Sequence, residues 1–231
     1  IENILQDETL LKKEIERDLK TTADKFGDSR RTQILDIESD EEDTVELKNL
    51  IVSLTNKNNL ISKETSNLYI QKRGGKGERF KLDKDEYIIS TSSITTHDNL
   101  LFFSEKGKYY SCKAQEIPIN VKIPIETFLN IEGKESFCSI IGFNKDYLDK
   151  EIILCTTKGL LKKSSIKEYI TNRKKGILSI SLEENDTVRA AIVCGHEPLG
   201  ILTKKGKFLK CNTDSIRSQG RVTKGVIGIS L

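Results

Sequence analysis

The sequence predicts an all-β, propeller-like array of repeated units of about 50 residues, preceded by a short α-helical segment and ending in an incomplete unit. Three observations predict it. A turn of the form Thr/Ser-x-Lys-Gly/Asn occurs four times, its fourth positions 49, 52 and 47 residues apart. Each turn lies between two short runs of strand character. After the second run, cations recur just ahead of a glycine.

The elements follow in chain order. Residues 1–25 place Ile4, Leu11, Ile15 and Leu19 at spacings of seven, four and four, which is one apolar stripe of a helix. In Phe26-Gly27-Asp28 the glycine is a natural stop. Beyond Ser29-Arg30-Arg31-Thr32, residues 36–46 carry seven carboxylates and few apolar side chains, the composition of a flexible acidic linker. A domain boundary is expected near residue 45, giving segments 1–35, 36–46 and 47–231.

The four turns are Thr55-Asn56-Lys57-Asn58, Ser104-Glu105-Lys106-Gly107, Thr156-Thr157-Lys158-Gly159 and Thr203-Lys204-Lys205-Gly206. Gly or Asn in the last position permits positive φ, so each copy is expected to contain a β-hairpin. The cation–glycine element then appears as Arg73-Gly74-Gly75-Lys76-Gly77, Arg173-Lys174-Lys175-Gly176 and Arg221-Val222-Thr223-Lys224-Gly225. The last two run into 177–182 and 226–231, both expected to be strands. Copy two lacks the element, because Asn120-Val121-Lys122-Ile123-Pro124 has no glycine. Copy three continues past its strand into 183–186 and another strand over 188–193, whereas copy four stops at Leu231. About 3.5 copies of a longer array are therefore expected.

The repeat disposes of residues that would draw attention singly. His97 and His196 each lie ten positions before a turn glycine, and Asp149 fills that slot before Gly159, so these are loop residues. Cys112 and Cys211 share a slot with Ser164. The five cysteines are odd in number and never form CxxC, which suits reduced core residues of a cytosolic protein and disfavours zinc. No apolar run approaches the roughly 18 residues that would span a bilayer. Net charge is +3 but uneven: residues 1–50 hold 8 Lys/Arg against 15 Asp/Glu, and the rest 30 against 20. An acidic lead and a basic body are the asymmetry of a polyanion-binding domain joined to something else.

The loop Gln71-Lys72-Arg73-Gly74-Gly75-Lys76-Gly77 concentrates that chemistry. Three glycines in four positions let the backbone approach a partner and aim successive N–H groups at it, and three cations neutralise an anion. A phosphate fits.

Within the repeat, this heptapeptide resembles the gyrase A box, Q-[RK]-R-G-G-x-G. Residues 26–32, 96–103 and 221–231 are similar to other stretches of the C-terminal region of the A subunit of DNA gyrase, a type IIA DNA topoisomerase. The resemblance implies a β-pinwheel of four-stranded blades whose basic rim wraps DNA, with 1–35 as the end of the breakage–reunion domain and 47–231 as a partial wrapping domain. It implies non-sequence-specific DNA binding and chiral wrapping in support of ATP-dependent negative supercoiling by the holoenzyme. Catalysis would lie elsewhere, with ATP and Mg2+ acting through other domains and the B subunit. The implied partners are double-stranded DNA, the B subunit of gyrase and a second A subunit in an A2B2 assembly, in the cytoplasm at the nucleoid. Beyond residues 71–77, the cations expected to continue the DNA track are Lys106, Lys108, Lys162, Lys163, Arg173, Lys174, Lys175, Lys204, Lys205, Lys207, Arg221 and Lys224. Two departures from the family pattern stand out: Lys72 in a position often held by Arg, which loses bidentate geometry, and the missing element in copy two.

Three rival readings have distinct signatures. The C-terminal domain of the topoisomerase IV A subunit has similar blades without an intact box. A propeller-type protein-interaction module predicts apolar or aromatic faces, but aromatics are 6% and the repeated turns are cationic. An enzyme would need convergent carboxylates or histidines outside the repeat slots, and there are none.

Overall fold

A computed structural model of the chain describes residues 7–28, 45–67, 73–74, 81–131 and 133–231. Two compact units emerge, Ile1–Asp40 and Glu41–Leu231, so the division falls inside the acidic run, a few residues before the boundary expected near 45. In the first unit, helix α1 (Glu8–Phe26) is capped by Asp7, whose side chain accepts from the Thr9 N–H, and the chain turns extended at Gly27. No helix among the described residues is long and apolar enough to cross a membrane.

The second unit is built from hairpins. Its strands are β1 (Asn49–Thr55), β2 (Asn59–Glu64), β3 (Ile88–Thr95), β4 (Asn99–Ser104), β5 (Lys108–Lys113), β6 (Lys122–Pro124), β7 (Phe137–Phe143), β8 (Glu151–Thr156), β9 (Leu160–Ser165), β10 (Ile177–Leu178), β11 (Val188–Cys194), β12 (Pro198–Leu202), β13 (Phe208–Asn212) and β14 (Val226–Ile227). They form three four-stranded antiparallel sheets, ordered β3-β1-β2-β6, β7-β4-β5-β10 and β11-β8-β9-β14, and the two-stranded ribbon β12-β13. The all-β repeat with an incomplete last unit is borne out.

The turn motif explains each hairpin. Its last residue, Asn58, Gly107, Gly159 or Gly206, has φ between 59° and 81° and donates its N–H to the carbonyl of the first. The hydroxyl of that first residue, Thr55, Ser104, Thr156 or Thr203, accepts from the N–H four residues on. A threonine or serine is needed there because it satisfies a backbone donor at the tip.

Both faces of the second sheet are buried. Along β4, Leu100 and Phe102 enter a core shared with the first sheet, and Leu101 and Phe103 enter one shared with the third. Period-2 alternation between two apolar neighbours explains the unbroken run Leu100-Leu101-Phe102-Phe103. At one edge β3, β7 and β11 lie side by side. There the Ser92 hydroxyl accepts from the Gly142 N–H and the Ser139 hydroxyl from the Ala191 N–H, both at 2.9 Å.

The opposite edge is made by exchange. Strand β6 of copy two closes the sheet of copy one, β10 of copy three closes that of copy two, and β14 of copy four closes that of copy three. The strands expected over 177–182 and 226–231 pair for only two residues each. The chain then leaves the sheet, because Ser179 and Ile180 donate to the Gly107 carbonyl and Gly228 and Ile229 to that of Gly159.

Candidate nucleic-acid interface

The crossover segments carry five of the expected cations, Arg173, Lys174, Lys175, Arg221 and Lys224, and their register shows why a glycine precedes each short strand. Gly176 faces the Tyr110 ring, whose Cζ would stand 2.5 Å from an added Cβ. Gly225 (φ 89°) lies against the Leu161 carbonyl at the same distance and close to Lys162. Tyr110 and Lys162 occupy one slot, three residues after the turn, and a bulky side chain there demands a glycine opposite. In copy one the slot holds the smaller Ile61, whose partner is Lys122. Copy two has therefore kept the element and placed a lysine in the glycine position. Its ammonium reaches Asp83 at 2.8 Å and also binds Glu86.

Of the expected cations on the crossovers, Arg173, Lys174, Lys175 and Lys224 are exposed. Lys174 lies 3.4 Å from Glu116 and Lys224 3.8 Å from Glu183, exposed pairs that contribute little. Arg73 and Gly74 are exposed and Gly74 has φ 84°. The expected contacts Gln71, Lys72, Gly75, Lys76 and Gly77 lie outside the described residues.

The hairpin-tip lysines do something else. Lys57 donates to the Lys84 carbonyl, Lys106 to that of Lys134 and Lys158 to that of Glu184, at 2.6 to 2.7 Å. Each staples its tip to the loop that leads into β3, β7 or β11. Lys108 is half-buried and lies 3.1 Å from Glu135. Lys204, Lys205 and Lys207, on the fourth hairpin, are exposed.

Two expectations are corrected. Lys162 is 1% exposed and Lys163 6%, so neither side chain can reach a ligand outside. Lys162 donates to the carbonyls of Ser179 and Arg221, and Lys163 to the Thr213 carbonyl and Glu151. The corresponding slot beside Lys163 holds Ser62 and Ser111 in the earlier copies, and their hydroxyls likewise donate to the carbonyls of Pro118 and Thr171. These lysines are ties between copies. Burial lowers the Lys162 ammonium to about 8. Arg221 is half-buried as well, its Nη1 donating to the Tyr109 hydroxyl at 2.8 Å.

Sequence reasoning missed a buried acid in each complete copy: Glu86, Glu135 and Asp186. Each precedes the residue whose carbonyl receives the tip N–H of Asn56, Glu105 or Thr157. Burial alone would raise the Glu86 carboxyl, but donors from Asn59, Lys122, Asp83 and Thr55 outweigh it and hold it well below the usual range. Asp186 is lowered in the same way, by Thr156, Thr157 and the N–H groups of Lys158 and Thr187 against its burial. The recurrence of these acids at intervals of 49 and 51 was the signal available.

The loop histidines match their slot reading: His97 meets the Val45 carbonyl and His196 pairs with Asp214. Cys112, Cys138 and Cys194 are buried, all five cysteines are free, and burial pushes the Cys112 and Cys138 thiols up to about 12. No group of His, Cys, Asp or Glu among the described residues could hold a metal.

Sheets closed by strand exchange around a shared inner edge, with cations on the exchanged segments, define the class: a β-pinwheel repeat domain. The chain belongs to the family described as DNA gyrase C-terminal domain, beta-propeller, which matches residues 50–95, 98–120, 150–195 and 201–231. It is 32% identical to the DNA gyrase A subunit of Mycoplasma genitalium over 99% of this chain, and spans 28% of that relative's length. A solved DNA gyrase A C-terminal domain superposes with a TM-score of 0.62 and 27% identity, covering 79% of this chain and 61% of that one. A topoisomerase IV C-terminal domain superposes at 0.65 with 24% identity, over 81% of this chain and 58% of that one, and shares the fold.

Proposed function

We propose that this chain binds double-stranded DNA by neutralising its phosphates and wraps it with one handedness, as part of a DNA gyrase A subunit. What carries the reading is the placement of Arg173, Lys174, Lys175 and Lys224, exposed on exchanged segments at the same edge of successive sheets. The 71–77 loop holds the matching place in the sequence of copy one. Contacts of this kind neutralise backbone and read few base edges, so binding is salt-dependent and tolerant of sequence. Bending a 20–30 bp site costs about 1–6 kcal/mol, so several distributed contacts must offset it. In the longer protein the wrap supports ATP-dependent negative supercoiling within an A2B2 assembly, ATP and Mg2+ being handled by other domains and the B subunit. The intact 71–77 motif favours gyrase over topoisomerase IV.

The test is topological. The chain is bound to nicked circular DNA, the nick is sealed, protein is removed and the linking number is read. A shift of one sign that disappears when Lys72, Arg73 and Lys76 become Ala supports chiral wrapping. Binding without any shift would reduce the function to plain DNA binding, and no binding would end the proposal.

A further inference from the structure

The 71–77 pattern is written twice in this chain. Gln219-Gly220-Arg221-Val222-Thr223-Lys224-Gly225 repeats Gln71, Arg73, Lys76 and Gly77 in register, and both heptapeptides begin 13 residues after the last turn residue of their own hairpin, Asn58 or Gly206. All seven residues of the second copy are described, so the role of each can be read directly.

Its two ends and its arginine are tied down. The Gln219 N–H donates to the Lys163 carbonyl at 2.8 Å, and Gln219 Oε1 accepts from the Thr223 hydroxyl at 2.8 Å. Gly225 lies against the Leu161 backbone. Arg221 is held at three points. Its N–H donates to Glu168 Oε2 at 2.9 Å, its carbonyl accepts from Lys162 Nζ at 2.7 Å, and its Nη1 donates to the Tyr109 hydroxyl at 2.8 Å. Tyr109 is fully buried between the second and third sheets and is beyond the reach of any DNA phosphate. Between these ties, Val222, Thr223 and Lys224 are exposed. The charged groups of the heptapeptide thus divide, one facing in and one facing out.

We infer that residues 219–225 form a second phosphate-contacting loop, in which Lys224 meets the DNA backbone and Arg221 is a positioning residue anchored on Tyr109. This deepens the DNA-binding reading and rests on it. A guanidinium engaged by a buried phenol presents its planar fork in one orientation, so it fixes the loop that carries it. The lysine next to the glycine, on a flexible stem, supplies the point charge.

The experiment follows the affinity of the full chain for duplex DNA across a range of salt, for wild type, Lys224→Ala, Arg221→Lys, Tyr109→Phe and the double variant Tyr109→Phe/Lys224→Ala. Each phosphate neutralised contributes about 0.9 to the slope of log K against log[salt]. Lys224→Ala is expected to lower the slope by about that amount. Arg221→Lys, which keeps the charge, and Tyr109→Phe, which removes no surface atom, are expected to do the same, and the double variant no more than either single one. Thermal melting checks that each variant is folded, and if Tyr109→Phe is not, Arg221→Lys carries the test. Arg221→Lys and Tyr109→Phe at the wild-type slope would overturn the positioning role while leaving DNA binding intact. A wild-type chain that fails to bind duplex would remove the DNA reading and this inference together.

Discussion

The hairpins β4–β5 and β12–β13 share a turn motif, a left-handed glycine and a capping hydroxyl, yet their side chains meet opposite environments. Phe103 and Tyr109 beside the second turn are 0% exposed, whereas Leu202 and Phe208 in the same slots of the fourth are 72% and 65% exposed. The second hairpin has β7 on one side, β10 on the other and a sheet against each face, while among the described residues β12 and β13 pair only with each other. A hairpin of this family is therefore a local object, but its core is a property of neighbours. Each sheet buries itself only by stacking, as repeat architectures generally do.

The largest test of that contrast is truncation in matched slots. Phe103→Ala should cost about 3–5 kcal/mol, and Leu202→Ala less than about 0.5 kcal/mol, both read from urea unfolding. Equal losses would mean that the fourth hairpin is buried in solution. Glycines come next. Gly225→Ala combines positive φ with a backbone clash and should lose about 3 kcal/mol. Gly206→Ala, with φ 81° and open space around it, should lose about 1 kcal/mol by the same measurement.

A pH scan sharpens the comparison between copies. The Lys162 ammonium titrates near 8 in the folded chain because it is buried, against 10.5 ordinarily. Between those values the unfolded chain holds the proton more tightly, so stability should rise with pH across that window, and Lys162→Met should abolish the rise. Glu86 gives the same sign of dependence, in an acid window. Its carboxyl is depressed by its donors, so its contribution is present at neutral pH and is lost as acid protonates it, which Glu86→Gln should blunt. The smallest effect concerns the staples. Lys106→Met should lose about 0.5–1 kcal/mol through its bond to Lys134, and Lys205→Met, on the fourth hairpin, close to nothing.

Much of this was legible in the residues. The four turns lay where Thr/Ser-x-Lys-Gly/Asn placed them, because a capping hydroxyl and a positive-φ residue act within four positions. The helix stopped at Gly27, and the shared slots of the histidines and cysteines marked them as scaffold. The cations were legible only as a set. Lys162 and Lys163 read as part of a basic track, and nothing local distinguishes them from Lys174 and Lys175. The difference is that the former lie on β9, enclosed by the next copy, and the latter on a segment that runs outside. Likewise Asn120-Val121-Lys122-Ile123-Pro124 looked like a lost motif, because the reason for the glycine, a bulky side chain on the preceding copy, sits some 60 residues away.

By itself, then, the sequence determined the repeat, the hairpins and the chemistry of the 71–77 loop, all of which depend on residues within a few positions of one another. Only the tertiary structure decided which copy supplies the last strand of each sheet, which acids sit beneath the turns, and which lysines face inward. Those outcomes depend on contacts between copies about 50 residues apart, where burial and the supply of backbone carbonyls, rather than residue type, determine what a charged side chain does.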